Sequence, residues 1–212
     1  MTRTAIQRRM LLGVTLLVAA SLQMGAGAED PAAVAPIQQL CDGLLAVMRA
    51  GNTEPFAERF EQLAPVVDKA FDLDTILKVS VGPTWPTLTP DQQAMLRAAF
   101  RRYTVASYVS NFDEYSGQRF EISPDVRDLP NGEQVVNTRI IQRDPSEETH
   151  VLDYVMRKGP HGWRAVDVLM DGTISRVAVQ RSDFRDTLAH GGAAALAQSL
   201  QQKTANLSGG AT

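Results

Sequence analysis

The stretch Trp163-Arg-Ala-Val-Asp-Val-Leu-Met170-Asp171-Gly172-Thr173-Ile174-Ser175-Arg-Val-Ala-Val-Gln-Arg-Ser-Asp-Phe184 decides the fold, because it reads as a strand delivered into a helix. From Trp163 to Met170 the residues are bulky and branched, and Val166, Val168 and Met170 recur at period two, the pattern of a strand with one buried face. Asp171-Gly172 ends it, since Gly tolerates the positive φ that a sharp exit needs. Beyond the turn the spacing lengthens: Ile174, Val177, Ala178, Arg181, Phe184 and Leu188 recur at three and four, with Ser175 placed as an N-cap. A functional site is expected near this junction.

Upstream, the period-two pattern continues over Arg119 to Ile122, Gln134 to Arg143 and Thr149 to Lys158. Pro130-Asn131-Gly132, Asp144-Pro145-Ser146 and Gly159 to Gly162 separate these runs with hairpin chemistry, and such short connections imply an antiparallel meander of about four strands. Earlier still the chain is helical. A first helix spans Pro36 to Ala50. A second begins near Pro55 and buries Phe56, Phe60, Leu63, Val67 and Phe71, with Pro65 expected to kink it or split it in two. A short helix over Asp72 to Val79 leads into a rigid turn at Gly82 to Pro86. Thr89-Pro90-Asp91-Gln92 is a capping box that opens a helix running to about Tyr115. Along that helix Leu96, Ala99, Phe100 and Tyr103 point one way and Val105, Tyr108, Val109 and Phe112 another, so it is either covered by protein on both sides or faces a cavity. The chain closes with helices over Ser175 to Ala189 and Ala193 to Asn206, then a flexible tail, 208–212. The sum is an α+β domain, an antiparallel sheet packed by N-terminal and C-terminal helices.

Residues 1–28 form a signal peptide: Arg3, Arg8 and Arg9 precede an apolar run from Met10 to Leu22, and Ala26-Gly27-Ala28 is a small-x-small cleavage pattern. The apolar run is shorter than the ~18 residues of a spanning helix. Arg8-Arg9 has a faint twin-arginine character, but general secretion fits better. One domain is expected over 29–207. With three arginines and no acid in the leader, cleavage moves the formal charge from −3 to −6, which argues against nucleic acid as a partner. Cys41 is the only cysteine, lies in an apolar stripe, and reads as a buried thiol rather than a nucleophile or acylation site.

Little points to catalysis. His150, His161 and His190 have no metal-ligand spacing, and no metal or other cofactor is expected. There is no G-x-S-x-G, no phosphate loop and no H-E-x-x-H. Asp153 and Asp167 on neighbouring strands, with Asp171 near, admit an isomerase-like reading with Asp167 as base; against it, Asp153 alternates toward water and Asp171 is a turn residue. The favoured expectation is a non-enzyme.

Trp163, Val166-Asp167-Val168, Asp171-Gly172, Ile174-Ser175, Arg181, Asp183 and Phe184 resemble the C-terminal motif of the MlaC or toluene-tolerance family, and the likeness continues through Gly82, Trp85, Leu88-Thr89, Gln92, Phe100, Tyr103, Gly191 and Leu200. Asn111-Phe112-Asp113, Gly117-Gln118-Arg119-Phe120 and Val179 to Phe184 are similar to its hopanoid-associated branch, HpnM. The resemblance implies a periplasmic lipid carrier without catalysis that serves an inner-membrane transporter and an outer-membrane lipid acceptor in outer-membrane maintenance. The implied cargo is a hopanoid, with glycerophospholipid as the alternative.

On that reading a lipid cavity lies between sheet and helices. Strand parity then nominates Val136, Ile140, Leu152, Tyr154, Met156, Val166 and Val168 on the sheet, and the helix supplies Phe100, Tyr103, Tyr108 and Phe112. A one-residue register error would move a strand's candidates to the opposite face. Phe184 and Leu188 either seal one end or belong to the core. A ligand-free protein adaptor remains the third reading beside carrier and enzyme.

Overall fold

The computed structural model describes residues 32–209; the expected leader and its cleavage point fall outside them, as do residues 210–212. Five helices, α1 (Val34–Ala50), α2 (Phe56–Ala70), α3 (Leu73–Val81), α4 (Pro90–Asn111) and α5 (Arg176–Leu207), pack on a five-stranded sheet. Its strands are β1 (Arg119–Asp128), β2 (Gln134–Ile141), β3 (His150–Gly159), β4 (Gly162–Met170) and the two-residue β5 (Ile174–Ser175), ordered β1-β2-β3-β4-β5 and antiparallel throughout. The meander and the layered α+β architecture therefore match the expectation, with one short strand added.

Local chemistry explains most boundaries. Thr89 accepts from the Gln92 backbone N–H while the Gln92 side chain accepts from the Thr89 N–H, closing the capping box of α4. Ser175 caps α5 through the Ala178 N–H. The two expected C-terminal helices form one run, broken where expected by Gly192 at φ 64° and ψ −160°. At Asp171 (φ 51°) and Gly172 (φ 71°) two consecutive positive φ angles make the tight β4–β5 hairpin, with the Thr173 N–H donating to the Met170 carbonyl.

Three expectations fail, each for a physical reason. Pro65 does not split α2: Pro65 and Glu61, whose carbonyl loses its bond, both face solvent, where water replaces the missing partner. β1 does not stop at Ile122. It passes through an irregularity between Ile122 and Val126 and resumes, an edge strand absorbing Pro124 and its missing N–H in a bulge. Ile174 is not on the helical stripe but on β5, and stands 47% exposed.

The sheet and the helices meet at the sheet's two sides. α1 packs on β1, while α2, α3 and α5 reach β4; α4 packs chiefly on α5 and α2. Between α2 and α3 the chain itself joins β4, Phe71 bridging to Ala165 and the Asp72 N–H donating to the Ala165 carbonyl at 2.9 Å. Tyr154, Met156 and Val136 on the sheet and Phe100, Leu96 and Leu77 on the helices are fully buried in the common core. Gly172→Ala is expected to lower stability by about 1 kcal/mol, the cost of a Cβ in the left-handed region, read as a lower urea midpoint at unchanged slope.

Candidate functional site

Near the β4–α5 junction the two layers part and leave a cavity of about 400 Å³. Its sheet wall is Ile140, Leu152, Val168 and Met170, and its helical wall is Phe100, Tyr103, Tyr108 and Phe112. Phe71, Leu73 and Ile76 close one side, and Val177 lies at the start of α5. Aromatic rings follow one another along this wall: Phe71 to Tyr108 at 5.4 Å between centroids, Tyr108 stacked on Phe112 at 6.1 Å, and Phe112 on Phe120 at 5.9 Å.

Of the residues nominated from sequence, Phe100, Tyr103, Tyr108, Phe112, Ile140, Leu152 and Val168 line this cavity. Val136, Tyr154 and Met156 are on the same sheet face but not on the lining; they are packed solid in the core further along the strands. Val166 is on the other face. Val155 pairs with Asp167 and Met156 with Ala165, so Val166 is the extra residue of a bulge, and its side chain joins Val135 and Val155 in a satellite cluster. Phe184 is core, edge-on to Phe100 at 6.3 Å, and Leu188 packs against the same core.

Sequence reasoning missed the polar part of the helical wall. Thr104, Ser107 and Asn111 share the lining with Phe100, Tyr103 and Tyr108, a single face of α4 at spacings of three and four. A search for apolar periodicity alone splits that face. The Thr104 and Ser107 hydroxyls donate to the carbonyls of Phe100 and Tyr103, so their polarity is spent inside the helix.

Asp167 lies at the junction with both oxygens occupied. Oδ1 accepts from the Val168 N–H at 2.8 Å and the Val177 N–H at 3.1 Å, and Oδ2 accepts from the Ser175 hydroxyl. It thus fills the anion position at the start of α5. Asp153 is the opposite of its expectation. Rather than facing water it is 5% exposed, its Oδ1 has no hydrogen-bond partner, and its alternation with the core-facing Tyr154 puts it across the sheet from the cavity.

Burial pushes the phenols of both Tyr108 and Tyr154 up. Burial, helped by the charge of Asp42, pushes the neighbouring Cys41 thiol up to about 12. Among the described residues no group of three or more His, Cys, Asp or Glu is placed to hold a metal, and no helix is long and apolar enough to cross a membrane.

A helical layer laid over an antiparallel meander, with an apolar cavity between them, places the protein in the class of helix-on-sheet domains built around an internal pocket. Residues 38–202 match the family model described as MlaC protein, and the chain belongs to that family. Its fold is similar to the solved structure of a phospholipid-binding protein from Ralstonia solanacearum in complex with a phospholipid, with a TM-score of 0.70 and 22% identity over 82% of this chain and 98% of that one.

Two outcomes check these assignments. Asp167→Ala is expected to lower stability by roughly 2 kcal/mol, the scale of hydrogen bonds to a charged acceptor, as measured by urea unfolding. Cys41 is expected to resist a thiol reagent at pH 8 in the native protein and to react in denaturant, since its raised pKa keeps it a thiol well above that pH.

Proposed function

We propose that the protein is a periplasmic, non-enzymatic lipid carrier, shuttling its cargo between an inner-membrane transporter and the outer membrane. The observation that carries this reading is the cavity itself: about 400 Å³, walled by aromatic and branched side chains at the seam of two layers. Membership of the MlaC family and the phospholipid in the Ralstonia relative support it. Asp167, the candidate base, has both oxygens committed to the backbone and to Ser175, which leaves the enzyme reading without its central group.

The cargo suggested by the branch-like motifs at Asn111 to Asp113, Gly117 to Phe120 and Val179 to Phe184 is a hopanoid. A glycerophospholipid is the second reading, favoured by the ligand of the solved relative. Either lipid needs a carrier. About thirty apolar carbons at ~0.8 kcal/mol each cost roughly 20–25 kcal/mol to expose, which puts unaided escape at about minutes to days.

The deciding experiment is mass spectrometry of lipid extracted from residues 29–212, purified without detergent from a hopanoid-producing host. Near-stoichiometric hopanoid or phospholipid is expected, and its identity names the cargo. A chain that carries no lipid and takes none from liposomes would overturn the carrier reading. Ser107→Trp, which fills the cavity from the α4 side, is expected to abolish loading.

A further inference from the structure

Among the residues that line the cavity Arg176 is the one arginine or lysine. It is the first residue of α5, is half-buried, and its charge is felt at the Tyr108 hydroxyl on the opposite wall. Among the described residues its guanidinium makes no ion pair or side-chain hydrogen bond. Two carboxylates share the lining, yet neither meets it. Asp167 has its oxygens taken by the Val168 and Val177 N–H groups and the Ser175 hydroxyl, and Asp171 sits on the hairpin turn without an ion pair to Arg176. A half-buried guanidinium beside an aromatic wall, with no carboxylate of its own, keeps its donors free for a ligand. Its planar fork of donors matches an oxyanion, phosphate above all.

We propose that Arg176 is the headgroup-binding residue of the cavity, taking the phosphate of an amphiphile whose apolar chain lies against Tyr108 and Phe112. This rests on the carrier reading and sharpens it: the cargo bears a phosphate head, and its chain is the part the cavity walls select. Asp167 supports the arrangement. By occupying the start of α5 it leaves the Arg176 side chain, not the helix end, to meet the anion.

The test uses delipidated protein offered vesicles that contain phosphatidylglycerol and diacylglycerol of identical chains, with a neutral polyol-headed hopanoid in a parallel arm; bound lipid is read by mass spectrometry. Wild type is expected to prefer phosphatidylglycerol over diacylglycerol by about tenfold, the lower end for a charge-assisted contact. Arg176→Gln is expected to bring the ratio close to one by lowering phosphatidylglycerol loading, and Arg176→Lys to retain part of the preference. In wild type, raising salt is expected to lower phosphatidylglycerol loading and leave diacylglycerol loading unchanged, a readout that holds even if the glutamine variant does not fold. An unchanged ratio in Arg176→Gln, a salt-independent ratio, or preferential uptake of diacylglycerol or the neutral hopanoid would overturn the headgroup assignment and leave the carrier intact. Failure of wild type to load any lipid would remove the carrier reading, and this assignment with it.

Discussion

The structure depends on what β4 does with its unpaired side. β3 occupies one side along its length, and β5 covers only Leu169 and Met170 on the other. The remaining edge is used to tie the two layers together. The Ala165 carbonyl accepts from the Asp72 N–H, fixing the α2–α3 link, and the Asp167 carboxylate accepts from the first turn of α5. An open strand edge is normally a hazard, and here it is covered by a bridge and a side chain rather than by another strand. The bulge at Val166 lies between these two ties, next to Asp167, which keeps its pairing with Val155.

With the helices anchored on β4 at one side and on β1 at the other, the middle of the sheet is spanned rather than touched throughout. Side chains fill the span at one end, where Val136, Tyr154, Met156 and Ala165 are fully buried. They leave it open at the other, along Ile140, Leu152, Val168 and Met170. The cavity is therefore a consequence of where the layers are fastened. The Tyr108–Tyr154 pair marks the boundary between packed core and open space.

That geometry explains how far the sequence could be read. Period two identifies a strand's face, so Ile140, Leu152 and Val168 were legible as candidates. It says nothing of depth along the strand, so Val136, Tyr154 and Met156, identical in parity, could not be told from them. Val166 was lost for another reason: a bulge adds a residue without a compositional mark, and every assignment on that strand beyond it inverts. On α4 the apolar stripe misled because Thr104 and Ser107 are polar in composition yet internally satisfied in structure. Capping chemistry was the most legible signal, since Thr89 with Gln92 and Ser175 with Ala178 act over three residues and need no tertiary context.

The cavity's lining bears on how a lipid carrier of this design works. Walls of aromatic and branched side chains shelter an apolar chain from water. Each buried methylene is worth about 0.8 kcal/mol relative to water, while a bilayer offers the same groups comparable shelter. Against a membrane the exchange is then close to balanced, and a modest interaction at the mouth decides whether cargo stays. A polar contact of the kind proposed for Arg176 is suited to that task because a partner surface can compete for a headgroup without displacing the apolar chain first. Retention by the walls and release through the headgroup would thereby be separate steps, which a pocket binding by apolar area alone would not achieve.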